Sequence, residues 1–467
     1  VDTFWSLLSL LAFTASTVAS VHLLLNYRRP ATAMSWAFAL WVLPLLGASL
    51  YAMFAVYQGP RRLRRRRTLS RRLRARRRDR APSVDEEAAT TYERVADAVN
   101  ALPLVDGNAV ELHADGPEAR RAYLDLLASA EREILLMSFI WEGDAFSDEV
   151  ACLLGEKRRA GCDVRVVVDA IGSRRWFERN FRNLVREGVP FERFLEPNPL
   201  KGRFQINFRN HRKMLVVDGD AAIVGGRNVS DPYYAVGPTS YRDLSVTLRG
   251  PVVEPLRSLF LEDWIVASDS PDDEPEHLDD VPEAGDVPLR VIPHGVDEPL
   301  DAYMPLLSVA LQTAREDVTI VTPYFVPGES LLYELRVAAL RGVRVRVLMP
   351  VRSPERWPEI AARRFFGPLF EVGVEIWRRP DPFLHAKAVL IDDSVAYFGS
   401  ANFDQRSFYL NYELTCEARH PRVVEQLRAH FEPDFELAER MDPERFAERG
   451  WWTRAQENFV ALFAPLL

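Results

Sequence analysis

The chain has 467 residues, 48% of them apolar and 27% charged, which allows roughly three domain-sized units and excludes a wholly disordered or collagen-like protein. Its three cysteines, Cys152, Cys162 and Cys416, form no C-x-x-C pair and no zinc-ligand spacing, so they read as reduced thiols rather than a disulfide scaffold. The net charge of −8 is unevenly spread: residues 1–60 carry +1, residues 61–80 hold thirteen arginines and one aspartate, and the remainder carries −21. An acidic body with a single basic strip is unlike a nucleic-acid binder, whose working face must be basic.

The front of the chain is apolar. Phe4 to Leu25 contains no formal charge, and after Arg28-Arg29-Pro30 a second uncharged stretch runs from Ala31 to Tyr57. About 20 apolar residues cross the hydrocarbon layer as a helix, so each stretch is long enough to span. Trp5, Trp36, Trp41, Tyr51 and Tyr57 include rings suited to the interface, and Pro44 with Gly47 predicts a kink in the second span. Asp2 stands where a signal peptide would carry positive charge. The arginines of 61–80 then place that end in the cytoplasm by the positive-inside rule, which makes residues 1–60 a membrane hairpin. Arg28 and Arg29, in the outer turn of such a hairpin, oppose the rule but are outnumbered. The strip, within a lead-in of residues 61–104, is also suited to attracting anionic lipid.

The body repeats itself. Glu131 to Phe139 reads as a helix end entering a buried strand, Ala151–Ala160 as a helix and Cys162–Val168 as a strand. The order returns with Asp317–Thr322, Ser330–Leu340 and Gly342–Leu348. Such alternation predicts an α/β class built of two similar halves, 105–267 and 289–467. Between them, residues 268–288 are rich in Asp, Glu and Pro and read as a flexible acidic linker. The apolar tail Phe459–Leu467 is expected to dock on the core.

Each half contains H-x-K-x-x-x-x-D followed by a glycine turn and Asn. The first copy is His211, Lys213 and Asp218, then Gly225-Gly226-Arg227-Asn228; the second is His385, Lys387 and Asp392, then Gly399-Ser400-Ala401-Asn402. In both, Asn lies seventeen positions after His. Side chains at i and i+2 of a strand share a face, so each His projects with its Lys. Asp follows Lys by an odd offset and faces away, which suits a brace for the fold. Two ammonium groups and two amides around one point suit a phosphodiester, whose charge must be held while phosphorus becomes pentacovalent. Histidine can attack phosphorus and can also move protons near neutral pH.

With these duplicated motifs the sequence resembles the phospholipase D superfamily and, within it, the bacterial cardiolipin synthases. The likeness extends to the N-terminal segment Arg29-Pro30-Ala31-Thr32-Ala33-Met34-Ser35-Trp36. It implies two α/β/α sandwich halves related by a pseudo-twofold axis, one site between them, no catalytic metal and no cofactor. It also implies a phosphatidyl-histidine intermediate, with His211 as nucleophile and His385 as the acid and then the base. Lys213, Lys387, Asn228 and Asn402 would hold the phosphate oxygens, with Ser400 as the one hydroxyl available, since Gly226 stands at the matching place in the first half. Asp243 and Glu413, which follow His211 and His385 respectively, would each stand behind a histidine and fix its tautomer. The implied activity joins two phosphatidylglycerol molecules into cardiolipin and glycerol at the bacterial inner membrane, from a multi-pass protein with a cytoplasmic body. Hydrolysis to phosphatidic acid, or transfer to another alcohol, uses the same chemistry.

Overall fold

In the computed structural model the described residues are 2–26, 30–54, 90–99, 101–173, 181–196, 207–235, 237, 239–268, 281–296 and 302–464. The chain falls into two compact units, one of residues 1–61 with 196–207 and one of the rest. The arginine strip of 61–80 lies outside the described residues.

The N-terminal unit has helices α1 (Asp2–Asn26), α2 (Pro30–Val42) and α3 (Pro44–Phe54). Among the described residues α1 alone is long and apolar enough to cross a bilayer. The second apolar stretch, expected as one kinked span, is instead two short helices divided at Leu43. Pro44 has no N–H to give to the carbonyl of Leu40, four residues earlier. The Ser16 hydroxyl donates to that carbonyl at 2.8 Å in its place. Gly47 lets α3 fold against α2: a Cβ there would lie 2.2 Å from the Ala39 oxygen. Leu23, Leu40 and Tyr51 form the small core of this unit.

The second unit is built on one mixed sheet. Its first half contributes β1 (Val105–His113), β2 (Glu133–Ser138), β3 (Asp163–Asp169), β4 (Phe191–Phe194), β5 (Met214–Val217), β6 (Ala221–Gly225) and β8 (Ser245–Arg249), with β7 (Tyr241–Arg242) in a separate ribbon. The second half contributes β9 (Val287–His294), β10 (Asp317–Val321), β12 (Arg344–Pro350), β13 (Glu375–Arg379), β15 (Ala388–Ile391), β16 (Val395–Gly399), β18 (Glu413–Ala418) and the edge strand β19 (Glu439–Arg440). Two further ribbon strands there are β11 (Phe325–Val326) and β14 (Phe383–Leu384), and β17 (Phe403–Asp404) pairs with β11. The order β1-β8-β6-β5-β2-β3-β4 recurs as β9-β18-β16-β15-β10-β12-β13, and the two runs meet where β1 pairs antiparallel with β9. This is the α/β class in two similar halves that the sequence pattern predicts, with the duplicated α/β/α layering that the resemblance implies.

Strand alternation sorts the core into layers. Leu135 and Met137 of β2 point to a face covered by helices Val253–Ser268 and Pro421–Leu437, which is continuous across both halves. Ile134 and Leu136 point the other way, against helices Gly116–Ser129 and Ala145–Arg159. In the second half Val318 and Ile320 meet helices Tyr303–Thr313 and Gly328–Leu340. Most of the acidic linker, 269–280, lies outside the described residues, and its far end is tied down where the Ala284 N–H donates to the Gly107 carbonyl at 2.7 Å. The C-terminal segment docks in part as expected: Val460 and Ala464 join the core of the second half. Helix Trp451–Ala461 buries Glu457 and Val460 while Trp451, Trp452, Phe459, Leu462 and Phe463 stay exposed. Glu457 pairs with Arg449 at 3.2 Å and lies 3.9 Å from Arg363, so ion pairs rather than rings set the face this helix turns inward.

Asp218 and Asp392 do brace the fold, though not through strand alternation, since each follows a strand of only four residues, Met214–Val217 or Ala388–Ile391. Each sits at positive φ, +54° and +49°, in the turn after its motif strand. The Asp218 carboxylate accepts from the N–H groups of Glu131, Arg132 and Glu133, and Asp392 accepts from those of Arg315, Glu316 and Asp317. They therefore fasten the starts of β2 and β10 and, although counted with the catalytic motifs, hydrogen-bond to neither histidine. Asp218→Ala removes the carboxylate that accepts three charge-assisted hydrogen bonds and leaves alanine in a left-handed conformation. It is expected to lower stability by about 2–4 kcal/mol in urea unfolding, while kcat measured well below the transition is unchanged.

Candidate active site

Each His-x-Lys segment lies just before its strand rather than within it, and is pinned to the opposite half. The His211 N–H donates to the Tyr412 carbonyl at 2.8 Å, and the Tyr412 N–H to Arg209 at 2.8 Å. The His385 N–H donates to the Arg242 carbonyl at 2.7 Å, where β14 pairs in parallel with β7. The residues that follow these carbonyls are Glu413 and Asp243. The pinning thus delivers one carboxylate to each imidazole from the other half of the chain.

His211 Nδ1 lies 2.9 and 3.0 Å from the two oxygens of Glu413, and His385 Nδ1 lies 2.6 Å from Asp243 Oδ2. This exchanges the partners that chain order suggests, in which Asp243 follows His211 and Glu413 follows His385. Register causes the exchange: Asn210 bridges to Tyr412 across the halves, and Phe383 lies opposite Tyr241. Both carboxylates are fully buried. Glu413 also accepts from the hydroxyls of Ser400 at 2.6 Å and Ser407 at 2.8 Å. Ser400, expected to touch phosphate, is therefore committed to orienting Glu413. The first half does without a hydroxyl because Asp243 itself fills that space: a Cβ on Gly226 would lie 2.3 Å from its Oδ1.

The two lysines are buried and behave alike. Lys213 Nζ donates to the carbonyl of His211 at 2.6 Å, and Lys387 Nζ donates to the carbonyl of His385. Lys387 Nζ also lies 3.1 Å from His385 Nε2, and Lys213 Nζ sits 5.3 Å above the Phe139 ring. Phe139 contacts His211 edge-on at 4.8 Å between centroids; Tyr233 contacts His385 likewise at 5.2 Å, and Tyr241 stacks on it at 5.8 Å. The Asn228 amide accepts from the Ile140 N–H at 3.1 Å and donates to the Tyr233 hydroxyl at 2.7 Å, which leaves one amide hydrogen for a ligand. Asn402 is buried beside Asp404, whose carboxyl is pushed up to about 6 mainly by burial.

Burial dominates the electrostatics. It pushes His211 down to about 4, with Glu413 opposing and Lys213 and Lys387 adding to the shift. Burial, with Lys387 and Lys213, pushes His385 down to about 3 against the pull of Asp243. Burial also lowers Lys213, and brings Lys387 to about 8. Burial alone would raise Glu413, but His211 and Lys213 together hold it down at about 2. At neutral pH each imidazole is thus neutral, with Nδ1–H donated to a carboxylate and the Nε2 lone pair available. Each histidine also feels the other half's lysine, so the four groups of the two motifs share one field.

Sequence reasoning missed a buried network behind Glu413. Arg212 donates to Asp263 Oδ2 at 2.6 Å, to the Glu413 carbonyl at 2.9 Å and to the His294 carbonyl at 3.1 Å. The available signal was Glu262-Asp263 in an otherwise apolar helical run. Among the described residues no group of three or more His, Cys, Asp or Glu could hold a metal ion.

A family model described as "Cardiolipin synthase, PLD-like domain" matches residues 123–264 and 307–435. Cardiolipin synthase A of Pseudomonas fluorescens (strain SBW25) is 32% identical, over 97% of this chain and 96% of its own length. A cardiolipin synthase of Geobacillus kaustophilus (strain HTA426) is 31% identical, over 95% and 90%. Among solved structures, phosphatidylserine synthase of Haemophilus influenzae Rd KW20 superposes with a TM-score of 0.61 at 15% identity. That match covers 81% of this chain and 100% of the other, and it supports the fold. Full-length relatives, a matching family model in both halves and a doubled, cross-braced His–Lys site agree: the chain belongs to the cardiolipin synthase family of phospholipase D-like proteins.

Proposed function

We propose that the protein is a membrane-bound phosphatidyltransferase that converts two phosphatidylglycerol molecules into cardiolipin and glycerol. The observation that carries this reading is the pair of buried imidazoles, each hydrogen-bonded through Nδ1 to a carboxylate from the other half, with the buried amines of Lys213 and Lys387 in the same motifs. His211 Nε2 attacks phosphorus of the first lipid, forming an N–P bond as the bond to the glycerol oxygen breaks. Lys213 and Lys387, with the amides of Asn228 and Asn402, neutralise the non-bridging oxygens of the pentacovalent state. A bound phosphodiester anion favours protonated His385, which gives its proton to the departing glycerol. His385 then takes the proton from the headgroup hydroxyl of the second lipid as that oxygen attacks phosphorus and the N–P bond breaks. The names of the relatives support cardiolipin as the product, and phosphatidylglycerol as both donor and acceptor is the pairing that yields it with release of glycerol alone. The arginines of 61–80 support a catalytic body on the cytoplasmic side of the bacterial cell membrane, beside anionic lipid.

Incubating the purified full chain with phosphatidylglycerol liposomes tests the reading by mass analysis. Cardiolipin with matching release of glycerol is the expected result. Phosphatidic acid as the dominant product would make the protein a phospholipase instead. Since two ammonium groups can supply the positive charge at phosphorus, EDTA is expected to change the rate by less than about twofold. Complete loss, restored by one particular metal, would overturn the proposed site.

The pH dependence follows from two groups. Below about 4 His211 binds a proton and its lone pair is lost; above about 8 Lys387 loses its proton and its charge. kcat/KM should therefore be bell-shaped, with an acid limb near 4 and an alkaline limb near 8. An alkaline limb at the ordinary lysine value of about 10.4 would show that burial does not lower Lys387 in the working enzyme.

A further inference from the structure

The N-terminal unit has a shape that two membrane crossings do not produce. Trp36 of α2 and Tyr51 of α3 are fifteen residues apart, about 22 Å along a continuous helix. Their ring centroids lie 5.4 Å apart, edge to face. Gly47 packs on the Ala39 backbone, so α2 and α3 form a V whose apex is Leu43-Pro44.

The contacts with α1 fix the depth of that apex. Trp41 meets Phe13 with centroids 5.8 Å apart, and the Ser16 hydroxyl reaches the carbonyls of Leu40 at 2.8 Å and Pro44 at 3.3 Å. At the open end of the V, Tyr51 hydrogen-bonds His22 Nδ1 at 2.8 Å. The apex therefore lies beside the middle of α1, and both open ends lie beside its C-terminal turn. α2 and α3, with 13 and 11 residues, are about 20 and 17 Å long, little more than half of a ~30 Å hydrocarbon layer. Phe38, Trp41, Val42, Leu43 and Leu46 around the apex are each more than half exposed, and no charge occurs between Pro30 and Phe54. The backbone acceptor that Pro44 strands is satisfied by Ser16, as burial in hydrocarbon demands.

We propose that the unit crosses the membrane once, through α1, and that α2–α3 is a re-entrant wedge in the cytoplasmic leaflet alone. This removes the conflict that two crossings create. With two crossings Arg28 and Arg29 lie opposite the arginines of 61–80; with one crossing all of them are cytoplasmic and Asp2 is outside. The inference rests on the membrane reading above, and its test separates the two.

The test uses full chains carrying Cys152→Ser and one new cysteine, Thr3→Cys, Asn26→Cys or Ser70→Cys. An impermeant maleimide is applied to spheroplasts and to inverted membrane vesicles, with phosphatidyl transfer checked for each variant. Positions 26 and 70 should label at least tenfold faster in inverted vesicles, and position 3 at least tenfold faster in spheroplasts. Labelling of 26 from the side opposite to 70 would establish two crossings and overturn the wedge. Equal labelling of all three in both preparations would overturn the membrane reading itself. Spin labels in the pair Met34→Cys and Ala52→Cys give a second measure. They should lie well within the roughly 27 Å that a continuous helix requires, and a separation at or beyond that length would exclude the V.

Discussion

His211→Ala should abolish the phosphatidyl-enzyme adduct and reduce turnover on the order of 100,000-fold, the scale seen when a covalent nucleophile is removed. With alanine there, no side chain offers an Nε2 lone pair at phosphorus from the first half. His385→Ala leaves that lone pair in place. Its loss removes proton delivery to the departing glycerol and proton uptake from the acceptor, a deficit of about 100- to 10,000-fold. The two substitutions therefore differ in kind. Labelled lipid mixed briefly with enzyme and quenched should leave acid-labile, base-stable label on His211 in the wild type and a slowly accumulating adduct in His385→Ala. Label retained by His211→Ala would reverse the assignment.

Glu413→Gln and Asp243→Asn should each cost about 100- to 10,000-fold, and at different steps. A carboxylate accepts the Nδ1 proton and leaves Nε2 unprotonated; an amide can donate to Nδ1, which moves the imidazole proton to Nε2 and blocks it. Glu413 lies against His211, so Glu413→Gln should slow formation of the adduct in a single turnover. Asp243 lies against His385, so Asp243→Asn should slow proton transfer, most visibly with a leaving alcohol of high pKa. If the carboxylates served the histidines of their own halves, these two phenotypes would be interchanged. Near-native far-UV spectra and unfolding midpoints would separate the chemical effect from damage to a buried network, and Glu413→Asp should recover part of the rate where Glu413→Gln does not.

Much of this was legible along the chain. Two His-x-Lys motifs with Asn seventeen positions on, each downstream of a strand–helix–strand pattern in its half, identify both the repeat and the residues of its site. The odd offset of Asp218 and Asp392 suggests that they face away along a strand, whereas they lie in the turns beyond it and accept backbone hydrogen bonds there. The exchange of Asp243 and Glu413 was not legible. It depends on which loop of one half runs beside the motif of the other, and that register belongs to the assembled pair of halves. Ser400 looked like a phosphate contact because its counterpart is Gly226. Only packing shows that the hydroxyl serves Glu413 and that the glycine makes room for Asp243. Pro44 and Gly47 announced a bend, but its size is set by Ser16, Ala39 and Tyr51, which carry no signal in sequence.

The exchanged carboxylates also constrain how the two copies can drift apart in evolution. Any change at Asp243 is felt first by a histidine in the other repeat, and any change at Glu413 likewise. The repeats have nonetheless diverged around these pairs: aspartate faces glycine in one, and glutamate faces serine in the other. Each difference is matched within its own copy, Gly226 leaving room for Asp243 and Ser400 steadying Glu413, while the imidazole that each carboxylate holds lies in the other copy. What must be kept in step between the copies is the contact itself, a carboxylate of one against Nδ1 of the other. The unit on which selection acts here is the pair.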